Sequence, residues 1–582
     1  MRKGPAESLG RIRYNFPLLV LRRQPERDSG CHRSGPRAGG IRRSVWVVVG
    51  LLLAALAVTP SAFAKRGMVV GFSGTDQYQE ASPADRSQWM GRTVDADGGM
   101  VRLSVGWAYV APTRPLDPTN PGSVSYDFSS LDGPVRDAAA RGLKVLLTVN
   151  VAPDWAEGPG KPPSTDAGTW KVSPSDLADF NQALATRYSG TYSPPGQPPL
   201  PAVDAIEVWN EPNASDWIEP QFEGKTAVSP DAYRAMLNAS YTAIKQVSPR
   251  IQVVAAGTAP YGDPPGGPYP GGDQRVQPVQ FWQRLLCVQP KKTKKKGKKG
   301  KQVKKKYVRA KNCSGRAMLD VFAHHAIDNT GGGPLRSGPL PGDVSTPDLG
   351  RLVPIFRAAE KLGTVSGGSH PVWVTEFWWD SKPPNPVGAP LLTQARWIEQ
   401  SLYLFWKAGA SLAVNFQIGD SAARPDVHAG LQSGVYFSDG RPKPSLTAVQ
   451  FPFVTERLNP QTLTAWGKAP EAGKLRIQKK QGSRWVTVKK LQAGKGMVFT
   501  TQLPLRGKQQ LRAVVGGSQS IVWKQAGADT KNASSSGGGG TGTATILLLL
   551  AVGLGLIVGG TALLRRRQRR MQQRRRPRPA LP

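Results

Sequence analysis

Two glutamates each stand at the end of an apolar run that also carries tryptophan. Glu211 closes Ala205-Ile206-Glu207-Val208-Trp209-Asn210-Glu211, and Pro212-Asn213 follow. Glu376 closes Pro371-Val372-Trp373-Val374-Thr375-Glu376, and Phe377-Trp378-Trp379 follow. A β-branched run that ends in a carboxylate delivers an acid group to the rim of a barrel. Two carboxyls flanking a glycosidic bond can cleave it, one as proton donor and the other as nucleophile or base. Tryptophan beside them presents a flat apolar face to a pyranose ring.

These groups need a frame. From residue 68 to about 452, strand-like runs alternate with helical ones, the pattern of a parallel sheet wrapped by helices. The strand candidates are Met68–Gly74, Met100–Trp107, Lys144–Ala152, Val203–Trp209, Ile251–Gly257, Leu319–Ile327, Val372–Phe377 and Ser411–Gln417. Helices are expected over Leu131–Arg141, Pro174–Tyr188, Pro230–Val247, Val279–Val288, Leu349–Leu362 and Leu392–Ala408. Ser173 and Ser229 are expected caps, and Gly363 and Gly409 are stops. The fold class is therefore α/β, an eightfold (β/α) TIM barrel with insertions. In that frame Glu211 follows strand four and Glu376 ends strand seven, so the two face each other across the mouth. Asn150 ends strand three and either lines a subsite or caps a loop. His324 and His325 alternate in strand six, so only one faces the cleft. Trp217, Trp378 and Trp379 are sugar platforms or cover for the barrel top.

The chain resembles clan A of the glycoside hydrolases over residues 68–452, and its pattern is nearest to families 5 and 39. The resemblance rests on Trp209-Asn210-Glu211-Pro212 on strand four and Trp373-Val374-Thr375-Glu376 on strand seven. Arg102 on strand two, His325 five residues after Asp320, and Gly440-Arg441-Pro442-Lys443-Pro444 add to it. It implies a retaining mechanism, with Glu211 as acid/base and Glu376 as nucleophile. It further implies Arg102 beside the nucleophile, His325 in the cleft and no metal or organic cofactor. Asn210 would bond the sugar 2-hydroxyl. On this reading the pKa of Glu211 is raised by its neighbour's charge and Arg102 keeps Glu376 ionised. The sequence departs from the family at Ile327, where tyrosine is frequent, and at Asn415-Phe416-Gln417, where tryptophan is frequent. Either Phe416 or Trp378 would then floor the sugar site, or the site would differ in sugar preference.

The formal charge is +37, and 30 of those charges fall in three runs: residues 1–43, Lys291–Lys311 and the tail after Leu564. Such runs are ordinarily solvated segments, so the charge does not indicate a nucleic-acid-binding fold. Arg42-Arg43, the apolar stretch Val45–Val58 and Ala62-Phe63-Ala64 compose a secretory signal, placing residues 1–64 outside the mature protein. Residues 65–455 form the barrel domain, with a basic insertion at 288–312. Residues 456–525 alternate as a small all-β sandwich, and 526–543 are a Gly/Ser linker. Residues 544–564 lack charge over a membrane-spanning length, and the arginines of 565–582 mark a cytoplasmic tail. The expected location is extracellular, held at the membrane by one C-terminal span. In an exported chain Cys287 and Cys313, which bracket the lysine run, are expected to form a disulfide. The lysine run is either a solvated loop or a site for an anionic wall polymer. Lacking interleaved aromatics, it does not suit nucleic-acid bases. The intact pair of glutamates favours a glycosidase acting on an oligo- or polysaccharide. The other reading is a catalytically silent surface protein that binds glycan and polyanion.

Overall fold

The computed structural model describes residues 67–264, 274–291, 306–313, 315–328, 331–422 and 432–527. The expected signal segment, span and tail lie outside these residues, as do all but the first residues of the expected linker and most of the lysine run. Among the described residues no helix is long and apolar enough to cross a membrane.

Eight parallel strands close into a barrel: β1 (Val69–Ser73), β2 (Met100–Gly106), β3 (Lys144–Asn150), β4 (Ala205–Val208), β5 (Gln252–Thr258), β6 (Val321–His325), β7 (Val372–Phe377) and β8 (Ala410–Asn415). Each is followed by a helix: α1 (Pro83–Asp95), α2 (Ser129–Ala139), α3 (Pro174–Arg187), α4 (Ser229–Val247), α5 (Pro278–Leu285), α6 (Val353–Leu362), α7 (Leu391–Ala408) and α8 (Pro444–Gln450). Every strand candidate overlaps an observed strand.

The helix ends show where local chemistry acts. Ser173 accepts the Asp176 N–H and caps α3, with Pro174 in the first turn. Ser229 does not cap α4. It is the first helical residue, and its hydroxyl donates to Gln221 Oε1 at 2.8 Å instead. Gly363 and Gly409 end α6 and α7 in the left-handed conformation, which lacks a steric penalty only without a Cβ. The expected Leu349–Leu362 helix is two pieces, a 3-10 turn at Thr346–Arg351 and then α6.

Strand alternation divides the barrel into layers. Met100, Leu146, Ala205, Val254, Val321, Ala323, Trp373 and Leu412 belong to one buried cluster inside it. The intervening residues, such as Val101, Leu147, Ile206 and Phe322, pack outward against the helices. Two residues further along β2, β3, β4 and β7 than this apolar layer stand Arg102, Thr148, Glu207 and Thr375, all buried. A polar layer thus sits on an apolar floor, at the end of the barrel where the strands finish.

The C-terminal region is two antiparallel sheets over one core. One holds β9 (Phe453–Asn459), β10 (Thr462–Lys468) and β13 (Val498–Leu503). The other holds β11 (Gly473–Gln481), β12 (Arg484–Ala493), β14 (Gln509–Val515), β15 (Ser518–Gln519) and β16 (Trp523–Gln525). Phe453, Leu463 and Phe499 from the first sheet meet Leu475, Ile477, Leu511 and Val515 from the second. Trp466 is fully buried against Tyr403 and Trp406 of α7. Beside it the Glu456 carboxylate accepts from Tyr403 Oη at 2.6 Å and from Lys407 Nζ at 2.7 Å.

Cys287 and Cys313 are disulfide-bonded. Inside the bridge Val288–Pro290 pairs antiparallel with Tyr307–Arg309. This unit connects α5 to β6, so it belongs to the helix-to-strand side of the barrel, opposite Glu211 and Glu376.

Candidate active site

The end of β4 is backbone under strain. Trp209 and Glu211 both take positive φ, 73° and 41°, which non-glycine residues rarely adopt. The left-handed turns re-aim the chain so that Asn210 and Glu211 face the barrel axis. Trp209 Nε1 donates to the Trp217 carbonyl at 2.9 Å, and Asn213 bonds both the N–H and the carbonyl of Ala259, which bracket the turn. The conformation is held from several sides.

Arg102 is the hub. Its Nη1 donates to Glu376 Oε2 at 3.1 Å, its Nη2 to Asn210 Oδ1 at 2.8 Å and its Nε to Glu207 Oε2 at 3.2 Å. The planar guanidinium has donors fixed in one plane, so these three bonds set the relative positions of β2, β4 and β7. Glu207 has no solvent exposure. It also accepts from Thr148 Oγ1 at 2.8 Å and from Thr375 Oγ1 at 2.7 Å. A buried carboxylate with one guanidinium and two hydroxyl donors is well satisfied.

His325 joins the two carboxyls of the mouth. Its Nδ1 lies 2.9 Å from Glu211 Oε1 and 3.8 Å from Glu376 Oε2. Those oxygens are therefore within about 7 Å of one another, against roughly 5–5.5 Å for carboxyl pairs that retain configuration and 6.5–9.5 Å for pairs that invert it. The other nitrogen, Nε2, is buried without a protein partner. Gly257 makes room for this arrangement. A Cβ there would stand 2.7 Å from Glu207 Oε1 and 2.8 Å from His325 Nε2, and the residue has φ of 43°. His324 points the other way. It bonds Thr258 Oγ1 and the Val344 carbonyl, and burial holds its imidazole down at about 4.

The charge distribution reverses the sequence expectation. Burial pushes the Glu211 carboxyl up, but the His325 bond and charge, Arg275 and the Trp217 N–H outweigh it. Glu211 ends below the ordinary carboxylate range. Trp217 Nε1 donates to its Oε2 at 3.2 Å, so both oxygens have a donor, as suits an ionised group. Burial carries Glu376 above its ordinary value despite His325 and Arg102, with the charges of Glu211 and Glu207 adding to the rise. Burial opposes charging of His325, yet Glu376 and Glu211 together raise it. The sequence expectation counted the charge across the cleft and not the imidazole between the two acids, which lowers both carboxyls and Glu211 through a direct bond.

The other expected site residues lie outside this network. Asn150 is buried at the end of β3 and donates to Ser104 Oγ at 3.0 Å. Phe416, half-buried, follows β8, and its N–H bonds the Phe377 carbonyl at 2.9 Å. Trp378 is half-buried after β7. Trp379 is cover for the barrel: it is buried, stands against Trp397 and donates to Ser401 Oγ. Glu207, Thr148 and Thr375 escaped the sequence reading. A charged residue at an inward position of a short barrel strand was the available signal for Glu207.

No family model matches this chain, and no curated protein does. Solved structures of similar architecture include a family 39 glycoside hydrolase from Bacteroides cellulosilyticus, at 17% identity and TM-score 0.44, covering 76% of this chain and 82% of that one. A family 30 endoxylanase from Clostridium papyrosolvens is 12% identical with TM-score 0.40, covering 76% and 94%. A family 5 glycoside hydrolase from Streptomyces cattleya, solved with GlcNAc, is 15% identical with TM-score 0.42, covering 66% and 79%. At these identities the likeness is one of fold.

Proposed function

We propose that the chain is a retaining β-glycosidase that hydrolyses O-glycosidic bonds by double displacement through Glu376 and Glu211. The observation that carries this reading is the pair of carboxyl oxygens flanking His325 Nδ1, too close for most of the range that inversion requires. Glu376 attacks the anomeric carbon, the bond to the leaving oxygen breaks, and Glu211 gives that oxygen its proton. Water then attacks the same carbon and gives a proton to Glu211, and Glu376 departs as carboxylate. Two inversions amount to retention.

The first step needs the proton on Glu211, whereas in the sugar-free site the Glu211 carboxyl is lowered and the His325 imidazole raised. His325 is placed to correct this. The protonated imidazole gives its Nδ1 proton to Glu211 Oε1, 2.9 Å away, and becomes neutral, while Glu376 attacks as the carboxylate beside Arg102. Asn210, held by Arg102, is available to the sugar 2-hydroxyl. We further propose that the protein is exported and held at the membrane by residues 544–564, with the barrel outside.

The test is turnover of β-linked aryl glycosides by the full chain beside Glu376→Ala, with the anomer of the first product read by NMR. A β anomer from the wild type, and a loss of at least about 10⁴-fold in the variant, support the mechanism. An α anomer, or equal turnover by both proteins, overturns it.

A further inference from the structure

The sandwich carries a charge pattern that the cleft does not explain. Between Glu471 and Asp529 the sequence has twelve lysines and arginines and no aspartate or glutamate. The three basic runs leave only 7 of the 37 charges for the rest of the chain, so the remainder outside this stretch is net acidic. The basicity here is local.

The sheet sorts those residues onto one face. Leu475 and Ile477 of β11, and Leu511, Ala513 and Val515 of β14, lie in the sandwich core. Their neighbours Lys474, Arg476, Gln478 and Lys480, with Gln510 and Arg512, therefore stand on the outer face. Register carries the pattern across strands. Arg476 is opposite Lys490, Lys480 is opposite Trp485, and Gln510 is opposite Lys524. Arg512 confirms the shared face, since it donates to Gln478 Oε1 at 2.8 Å and lies 4.2 Å over the Trp485 ring. At the lower edge Lys480, Lys508, Gln510 and Lys524 line a groove of about 630 Å³.

Like charges on facing strands cost stability, and no carboxylate from the sheet's own strands offsets them. Burial, with repulsion from Arg476 added, lowers the Arg512 guanidinium. A face assembled against that cost fits an anionic ligand from outside. Cations two residues apart on one strand are about 7 Å apart, and adjacent strands are about 5 Å apart, which makes a flat grid rather than a pocket for one anion. Glutamines 478, 492 and 510 between them offer amides to hydroxyls. The face carries no exposed large apolar side chain to enter a bilayer, since exposed Val486 is opposite Lys479 and so on the other side. Arg512 covers one face of the Trp485 ring.

We propose that the outer face of this five-stranded sheet binds a carboxylate-bearing polysaccharide, with the lysines and arginines meeting its acid groups and the glutamines its hydroxyls. This binding does not depend on turnover in the cleft.

The test is lysine footprinting of the full chain. Acetylation of each lysine is read by mass spectrometry with polygalacturonate, with its fully methyl-esterified form and without polymer. Protection of Lys474, Lys480 and Lys490 by polygalacturonate alone is the expected result. Unchanged reactivity of those three, with protection confined to Lys291–Lys311, overturns the proposal. A second arm measures polymer affinity of Lys474→Gln/Arg476→Gln/Lys480→Gln/Lys490→Gln, all at exposed positions. Affinity falls at least tenfold, while replacing the three lysines by arginine preserves it. An unchanged affinity in the glutamine variant sinks the idea. So does binding to phosphatidylglycerol vesicles, lost in that variant, with no polymer binding by the wild type.

Discussion

At the scale of single residues, one imidazole lies against both glutamates and bonds only Glu211. Glu376 raises the His325 pKa, so removing its charge must lower it. In Glu376→Gln the His325 ring should therefore titrate at lower pH than in the wild type. With only five histidines in the chain, nitrogen NMR can follow it. No movement would mean that the two groups are not in contact in solution. Glu207 acts through Arg102 and not on substrate. Its charge raises Glu376, so Glu207→Gln should move the acid limb of the kcat/KM profile to lower pH. The same change leaves one oxygen for three donors, and kcat should fall roughly 10- to 100-fold, about 1.4–2.7 kcal/mol of barrier. A fall in kcat with an unmoved pH profile would reduce Glu207 to a packing role.

At the scale of elements, the junction of α7 with β9 holds an unusual group. Glu399 is fully buried, its Oε2 accepts the Phe453 N–H at 3.3 Å, and its Oε1 has no partner. Burial raises its pKa well above the ordinary value. A carboxyl raised in the folded state contributes stability below its unfolded pKa of about 4.3, and that contribution is lost as pH rises towards the folded value. Glu399→Gln keeps an acceptor for Phe453 and removes the titration. The variant should be more stable than wild type at pH 7, with a flatter dependence of Tm on pH. A Tm that is lower at pH 7 than that of the wild type would contradict this. The same junction buries two strands on both sides. Phe453 and Ala465 face the sandwich core while Val454 and Trp466 face the barrel, so both faces are buried and the alternation of a half-exposed strand is absent.

At the scale of the whole molecule, the sandwich is fastened to the barrel by a small apolar patch with polar edges. Trp466 fills it, and Glu456 is paired there with Lys407 and Tyr403. Trp466→Ala should cost about 3–5 kcal/mol at that site. Two unfolding transitions should then replace one in calorimetry, because the domains lose the contact that couples them. A single transition at the wild-type Tm would show that the patch contributes little.

Much of this protein is written locally. Strand candidates, the serine cap at Ser173 and the glycine stops at Gly363 and Gly409 depend on near neighbours in the chain. The resemblance to clan A singled out Arg102 on β2, and a strand end followed by Pro212 placed Glu211 at the rim. Other features needed closure of the barrel. Glu207 meets Arg102 from 105 residues away and Thr375 from 168 away, and no local pattern encodes such pairs. The absence of a Cβ at Gly257 matters only because Glu207 and His325 converge there. The order of protonation of Glu211 and Glu376 follows from ångström-scale distances to His325 and from burial. Those are properties of the assembled barrel, because electrostatic interaction depends on separation in space and on exclusion of water and not on position along the chain.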